Sequence, residues 1–266
     1  MREHLKDVQS ELDERKLEIQ KVGIKGIRYP IYVLDKLNQY QHTVAVIDMY
    51  VDLPHHFKGT HMSRFIEIIN SYRKGIAVKN YREILTAIKN KLHAKSSHLR
   101  IAFPYFIEKK APVTKAKSLM AYNCVFSGDL TDKFDFYLEV SVPITTVCPC
   151  SKTISDEGAH NQRGVVNVKL RFDGLVWIED IVALVEESAS SDIYSLLKRA
   201  DEKYVTEKAF RNPMFVEDVV REVAIRMMKD EKIKWFAVEA INYESIHNHN
   251  AYAYLERRRD ESGKFV

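Results

Sequence analysis

The sequence predicts an α+β protein in which antiparallel sheets carry their helices on one face. Strand-like segments alternate between apolar and polar residues, and helix-like segments repeat apolar residues at intervals of three or four. Each half of the chain runs strand, strand, helices, strand, strand, and such runs favour antiparallel pairing over a parallel sheet. The two halves share this order of elements without sharing sequence identity.

The first half of the chain contains four predicted strands and two predicted helices. Residues 1–20 are rich in charge, which indicates a surface helix or a partly disordered arm. The spacing of Tyr81, Ile84 and Ile88 indicates one apolar helix face. The predicted strands span residues 23–34, 44–53, 99–107 and 118–127, and the predicted helices lie near 65–72 and 81–92.

The second half repeats this order. Apolar and polar residues alternate from Phe136 to Val142, as in a half-buried strand, and apolar residues recur every four positions from Phe215 to Met227, as in a helix. A polar segment at 130–133 predicts the domain boundary, which divides the chain into residues 1–132 and 133–266. The predicted strands lie near 136–142, 166–172, 233–245 and 251–258, and the predicted helices near 177–188, 193–209 and 215–229.

The composition restricts the class of protein. A chain of 266 residues with 45% hydrophobic and 29% charged residues is typical of a globular protein with a sizeable core. A net charge of +4 without a block of like charge argues against nucleic acid as a partner. No apolar run reaches the ~18 residues of a membrane helix. Three cysteines are too few for a disulfide framework, so we expect a protein of the reducing cytoplasm.

Candidate metal ligands are spread along the second half. Cys148 and Cys150 flank Pro149 at the end of a predicted strand, His160 follows in a polar turn, and Glu202 comes later. Thiolate, imidazole and carboxylate are the ligands of a borderline-soft divalent metal, and three of them with an open position favour hydrolysis. Each residue also has a plainer explanation: packed thiols in a turn, a solvated histidine, and an acid near a helix N-terminus.

A second signal lies in the stretch from Asn212 to Asp218. Asn212 and Pro213 are typical of a helix start, where Asn caps and Pro occupies the first turn. Glu217 is explained only in part by this helix start. A carboxylate can accept two parallel hydrogen bonds from a planar donor pair, such as the N1–H and 2-amino groups of guanine.

Two further stretches carry polar groups that suit chemistry. His247 and His249 share one face of a strand end, and a histidine pair suits proton transfer, although a histidine-rich turn without a role is equally open. Around Thr60 and His61 a helix begins, and its free N–H groups together with Lys58 and Arg64 suit a phosphate. An ordinary capped helix start explains the second stretch as well.

Several of these segments together resemble the GTP cyclohydrolase IB family, and the resemblance runs along nearly the whole chain. The segments that carry it are Val22–Pro30, Lys58–Phe65, Cys148–Lys152, Asn212–Asp218 and Glu244–His249. The resemblance implies two fused tunnelling-fold units in one chain. For the assembly it implies a tetramer with active sites at the subunit interfaces. It also implies the conversion of GTP and water to 7,8-dihydroneopterin triphosphate and formate.

The resemblance also implies roles for individual residues. The implied metal ligands are Cys148, His160 and Glu202. The implied metal is Zn²⁺ or Mn²⁺, with Fe²⁺ as a further candidate. Glu217 would anchor guanine. The other implied site residues are Lys58, His61, Arg64 and Lys152 for the triphosphate, Glu244 beside the metal, His247 or His249 as proton donor, and Cys150 as a helper in the second attack or a lining residue.

Two other functions remain open on the sequence alone. One is a tunnelling-fold enzyme with a nucleophilic cysteine, such as the nitrile reductase of queuosine synthesis, which would need NADPH and no metal. The other is a non-catalytic metal-binding module, in which four closed ligands would hold a structural ion.

Overall fold

A computed structural model describes residues 8–72 and 78–266. A short 3₁₀ turn at Val8–Ser10 precedes the regular elements. The strands are β1 Ile19–Asp35, β2 Gln39–Leu53, β3 Ser97–Lys110, β4 Lys117–Leu130, β5 Phe134–Val147, β6 Asn161–Phe172, β7 Ser191–Asp192, β8 Ile233–Asn242 and β9 Ala251–Arg258. The helices are α1 Met62–Tyr72, α2 Val78–Lys91, α3 Pro149–Ile154, α4 Ile178–Glu186, α5 Arg199–Arg211 and α6 Val216–Met227.

The strands form a mostly antiparallel sheet, so the prediction of an α+β protein is confirmed. The strand order is β1-β2-β3-β4-β5-β6-β8-β9, and the short β7 pairs with β5. The β6–β8 pair is antiparallel although three helices, α4 to α6, lie between these strands in the chain. In the two described ranges, no helix is long and apolar enough to cross a membrane.

The predicted elements are all present, with corrected ends. The helix expected over residues 193–209 begins only at Arg199, because the preceding residues form β7 and the loop after it. The short helix α3 was not predicted, since six residues are too few to show a helical period. Of the predicted N-terminal arm, residues 1–7 lie outside the described ranges, and Leu12 makes an isolated bridge to Phe57.

The chain divides into two compact units that are not simple halves. The first comprises residues 1–103 and 125–137, and the second comprises residues 104–124 and 138–266. The outer part of the β3–β4 hairpin therefore belongs to the second unit, although it comes early in the chain. The predicted boundary after residue 132 separates the two tandem units that the resemblance implies, and it stays a prediction.

The first unit buries the helix face that the sequence predicted. Tyr81, Ile84 and Ile88 of α2 are fully buried. The Tyr81 hydroxyl donates to the carbonyl oxygen of Leu99 at 2.5 Å, and the carbonyl oxygen of Phe126 lies 3.3 Å away. A polar group inside the core is thereby satisfied. Residues of β2 alternate between buried and exposed from Thr43 to Ile47, and most residues from Ile47 to Leu53 are buried.

The second unit packs α6 against β8 and β9. Val219, Val223 and Met227 are fully buried, as their four-residue spacing predicted. Phe215 differs, because it is the N-cap residue of α6 and is exposed. Asn212 is the C-cap of α5 and donates its side-chain amide to the carbonyl oxygen of Ala189, so its predicted role at the start of α6 is wrong.

A buried ionic network stabilises the second unit. The Nζ of Lys109, whose side chain is 10% exposed, lies 2.8 Å from Glu186 and 3.2 Å from Asp192, and above the ring of Tyr194. Glu186 also accepts a hydrogen bond from the Tyr122 hydroxyl at 2.7 Å. Burial raises the pKa of Glu186, so this carboxylate depends on the nearby ammonium group for its charge.

We expect the substitution Lys109→Met to lower the free energy of unfolding by about 3–5 kcal/mol, because it leaves the buried carboxylate of Glu186 without its cation. Asp192 keeps a second cation, Lys208, at 2.7 Å. Urea unfolding measures this effect. Lys117→Met is a matched control, since its ion pair with Glu108 is exposed and is worth at most about 1 kcal/mol. Equal losses in the two variants would contradict the assigned role of the network.

Candidate functional site

A cavity of about 290 Å³ lies in the second unit. Its lining includes six of the residues that were predicted as site residues: Cys148, His160, Glu217, Glu244, His247 and His249. These residues come from four separated segments of the chain. The fold therefore brings a thiol, three imidazoles and two carboxylates to one place.

The pairing of β5 with β6 places Cys148 beside His160. Val147 and Asn161 are the last paired residues, and the backbone N–H of Cys148 then donates to the carbonyl oxygen of His160 at 3.1 Å. Cys148 is also the N-cap of α3, and its Sγ accepts from the backbone N–H of Ser151 at 3.5 Å. The sulfur thus accepts one backbone hydrogen bond, and the thiolate form of a cysteine is the form that binds a metal.

Gln162 joins His160 to Glu244. Its Oε1 lies 3.0 Å from the Nδ1 of His160, and its Nε2 lies 3.4 Å from the Oε1 of Glu244. The same Nε2 donates to the hydroxyl of Thr146 at 3.0 Å. Gln162 was not predicted as a site residue, although it shares a strand face with His160 through the two-residue period, and this signal was available.

Glu217 lies in the first turn of α6, at the rim of the cavity. The neighbouring Asp218 caps this helix, since its carboxylate accepts from the backbone N–H of Phe215 at 3.1 Å. Glu217 is therefore not needed for capping and is exposed. Met214 and Phe215 supply an apolar wall, and the N–H of Met214 donates to the carbonyl oxygen of Val147 at 3.0 Å, which ties this wall to the end of β5.

His247 and His249 lie in the loop between β8 and β9. Their rings are stacked, with centroids 5.0 Å apart and planes inclined by 17°. Both side chains are exposed and both line the cavity. Two imidazoles at the mouth of a cavity are in a position to exchange protons with a bound molecule and with solvent.

Asn242 is a further polar residue of the cavity that the sequence did not indicate. It is the last residue of β8 and is 2% exposed, and its Oδ1 has no hydrogen-bond partner among the described residues. It pairs with Gly164 across the sheet. A Cβ at Gly164 would lie 2.6 Å from this oxygen, so the glycine leaves the space that the Asn242 side chain occupies.

Three predicted site residues of the second unit do not line the cavity. Glu202 is exposed on α5, and Cys150 is exposed on α3. Lys152 donates from Nζ to the carbonyl oxygen of Phe210 at 2.6 Å. Within residues 8–72 and 78–266, no three His, Cys, Asp or Glu side chains lie together as a group that could hold a metal ion. The cavity thus contains Cys148 and His160, but Glu202 is not placed with them.

Asp201, next to Glu202, is the buried acid of this turn. It accepts hydrogen bonds from the backbone N–H groups of Val113, Thr114 and Lys198 and from the Thr114 hydroxyl. Burial by itself would raise the pKa of Asp201, but these hydrogen bonds outweigh burial and hold the pKa well below its usual range. The structural acid of this segment is therefore Asp201, which leaves Glu202 on the surface.

Three of the four predicted phosphate-binding residues, Lys58, His61 and Arg64, belong to the first unit. Lys58 forms an ion pair with Glu11 at 3.1 Å. His61 and Arg64 line a cavity of about 710 Å³, together with Lys91 at the end of α2. The guanidinium of Arg64 donates to the carbonyl oxygen of Lys91 at 3.3 Å, so it is held at the start of α1.

Comparisons with known proteins agree with the resemblance. A family model described as type I GTP cyclohydrolase folE2 matches residues 5–253. A protein named GTP cyclohydrolase FolE2 from Geotalea uraniireducens (strain Rf4) is 58% identical over 259 residues, which cover 97% of this chain and 96% of the relative. The protein of the same name from Syntrophus aciditrophicus (strain SB) is 61% identical over 252 residues, which cover 94% and 99%.

A likeness among solved structures concerns the fold alone. The crystal structure of uricase from Arthrobacter globiformis superimposes with a TM-score of 0.52 at 7% sequence identity, over 91% of this chain and 94% of that chain. At this identity the likeness shows a shared fold and carries no information about activity. The match over residues 5–253 and the identities above 55% settle the family: this chain belongs to the type I GTP cyclohydrolases of the FolE2 type.

Proposed function

We propose that this protein is a GTP cyclohydrolase that converts GTP and water to 7,8-dihydroneopterin triphosphate and formate, the first step of folate biosynthesis. The observation that carries the proposal is the cavity of the second unit. It combines a half-buried thiol, imidazole groups and carboxylates in a chain that matches the FolE2 family over residues 5–253. These are the groups that hydrolysis of a C–N bond and the following proton transfers need.

Glu217 is the proposed anchor of the guanine ring. Its carboxylate is exposed at the rim of the cavity and is not needed as a helix cap. Met214 and Phe215 lie beside it and offer apolar surface to a planar base. A carboxylate that accepts from both N1–H and the 2-amino group distinguishes guanine from adenine, which lacks this donor pair.

The proposed metal ligands are Cys148, His160 and Glu202, for Zn²⁺, Mn²⁺ or Fe²⁺. Cys148 and His160 fit this role, because they line one cavity and an N–H group points at the sulfur. A divalent ion, when bound, lowers the pKa of water at the site and supplies the hydrolytic nucleophile. Glu202 must reach the ion from the surface of α5, and Glu244, which already lines the cavity, is the alternative carboxylate.

His247 and His249 are the proposed proton donors and acceptors. One of them protonates N7 of the purine as water attacks C8. The same ring then takes the proton of the new C8 hydroxyl and passes it to N9 as the C8–N9 bond breaks. Glu244 lies in the same cavity, where it can orient water or a substrate hydroxyl. Cys150 is exposed two positions beyond Cys148, and its proposed role is limited to assisting the second attack.

Further parts of the proposal concern assembly. The chain would consist of two tandem tunnelling-fold units, in keeping with the repeated order of its elements and with its likeness in fold to uricase. It would act in the cytoplasm as a homotetramer with sites at subunit interfaces. The proposed triphosphate ligands are Lys58, His61, Arg64 and Lys152, of which the first three belong to the first unit.

We expect Glu217→Gln to weaken GTP binding by about 2–3 kcal/mol, or roughly 30- to 150-fold, because a charge-assisted hydrogen-bond pair is lost. Isothermal titration of the variant with a non-hydrolysed GTP analogue measures this effect. Glu222→Gln, on the same helix and paired only loosely with Arg226 at 3.9 Å, is the control and should bind as the wild type does. Unchanged affinity of the Glu217 variant would argue against its role.

The activity itself is tested by incubating the purified chain with GTP and each of several divalent ions. Formate release and the fluorescence of the oxidised pterin are the measurements. The same protein is assayed with NADPH and a nitrile substrate, to test the nitrile reductase alternative. Formate release that depends on the ion supports the proposal, whereas metal-independent oxidation of NADPH without formate release would refute it.

A further inference from the structure

We infer that Gln162 is a positioning residue that determines which ring nitrogen of His160 carries the proton and that ties this ring to the carboxylate of Glu244. The inference rests on the proposed function for the use of the site. The geometric part of the inference rests on contacts that join the three side chains directly.

The orientation of the Gln162 amide follows from its neighbours. Gln162 is 7% exposed, so its polar atoms need partners inside the protein. The carboxylate of Glu244 can only accept a hydrogen bond when it is ionised, and the amide atom 3.4 Å from it must therefore be the NH₂ group. The second hydrogen of this group goes to the hydroxyl of Thr146, which is fully buried, at 3.0 Å.

This orientation leaves only the amide oxygen of Gln162 to face His160. The oxygen lies 3.0 Å from Nδ1 and has no proton to give, so Nδ1 must be the donor. The hydroxyl of Ser245 lies 3.4 Å from the same nitrogen and can accept as well. A neutral imidazole with its proton on Nδ1 has its lone pair on Nε2.

The lone pair on Nε2 is the one that a metal ion or a substrate proton needs. An outer residue that fixes the tautomer and the ring orientation of a ligating histidine typically contributes 10- to 100-fold in metal affinity. Gln162 lies on β6 and Thr146 on β5, and the two residues are paired across the sheet. The amide that orients the ring of His160 is therefore itself held by the sheet.

The same amide also couples two roles of the site. Its NH₂ group holds Glu244 within the cavity while its oxygen holds His160, so the carboxylate and the imidazole have a fixed relation to each other. A glutamine that merely filled the core would be replaceable by an apolar side chain of the same length. A positioning glutamine would not, because methionine accepts and donates no comparable hydrogen bond.

The first test is the tautomer of His160 in the full-length, metal-free chain at about pH 8, where an ordinary imidazole is neutral. Long-range ¹H–¹⁵N correlation spectra of ¹⁵N-histidine-labelled protein show which ring nitrogen is protonated, and a His160→Gln sample assigns the signal. We expect the proton on Nδ1 in the wild type and a mixture of both tautomers in Gln162→Met. A proton on Nε2 in the wild type would overturn the inference even if the variant does not fold.

The second test is zinc affinity, measured by competition with a chromophoric chelator. Gln162→Met should bind zinc about 10- to 100-fold more weakly than the wild type. Gln41→Met is the matched control, since it breaks a comparable bond, from Nε2 to the carboxylate of Asp35 at 2.9 Å, in the first unit. Equal zinc affinity in Gln162→Met and the wild type would overturn the inference. Failure of the wild type to release formate would instead refute the proposed function.

Discussion

Replacing Cys148 with alanine is expected to abolish metal retention and turnover together. Cys148 is the only thiol that lines the described cavity, and a thiolate is the strongest ligand for Zn²⁺ among the side chains present there. With the ion lost, water at the site keeps a pKa far above neutrality, and the hydrolytic step loses its nucleophile. We expect turnover to fall by more than about 1,000-fold, which exceeds the loss of one active-site hydrogen-bond donor.

Elemental analysis of the purified variant and an assay of formate release measure the two effects separately. Cys150→Ala is the control for metal retention, because its thiol is exposed two positions further on and does not line the cavity. It should keep its metal, and its turnover then reports whether this second thiol takes part in the chemistry. A Cys148→Ala protein that holds its metal and turns over at the wild-type rate would rule out Cys148 as a ligand.

The strands and helices of this fold were predictable where a segment was long enough to show a regular spacing of its apolar residues. β9 has the predicted bounds, residues 251–258, and α6 buries the residues that recur every four positions. The helix α3 and the strand β7 were not predictable in this way, since six and two residues carry no period. Their positions depend on contacts that form only in the folded chain, such as the pairing of β7 with β5.

The site was predictable in its residue types more than in its arrangement. Cys148, His160, Glu217 and Glu244 line one cavity, although they lie far apart in the chain. Gln162 was missed because a glutamine on a strand is usually a surface residue, although its two-residue spacing from His160 placed both on one face. Its contacts with Thr146 and Glu244 come from distant parts of the chain.

The segment around Glu202 shows a different limit of sequence reasoning. Two neighbouring acids, Asp201 and Glu202, lie in the first turn of α5, and nothing in the sequence shows which side chain is buried. The loop containing Val113 and Thr114 decides this, because its backbone N–H groups donate hydrogen bonds to the carboxylate of Asp201. That loop is about 90 residues earlier in the chain, so local periodicity carried no information about it.

The pair Glu202→Ala and Glu244→Ala therefore decides which carboxylate completes the metal site. As the proposed third ligand, Glu202 should be essential for affinity, and its loss should weaken zinc binding by more than the 10- to 100-fold effect of an outer residue. Glu244→Ala should weaken zinc binding by no more than about 10- to 100-fold. It should lose turnover instead, since the proposed role of Glu244 is to orient water or substrate.

Chelator competition gives the affinity of each variant, and formate release with the ion at saturation gives the turnover. Glu207→Ala, on the same helix as Glu202 and paired with Arg211 at 3.0 Å on the surface, is the control for α5. The reverse pattern, with zinc lost in Glu244→Ala and kept in Glu202→Ala, would move the third ligand to Glu244. That result would leave Cys148 and His160 in place, because the geometry that joins them does not involve α5.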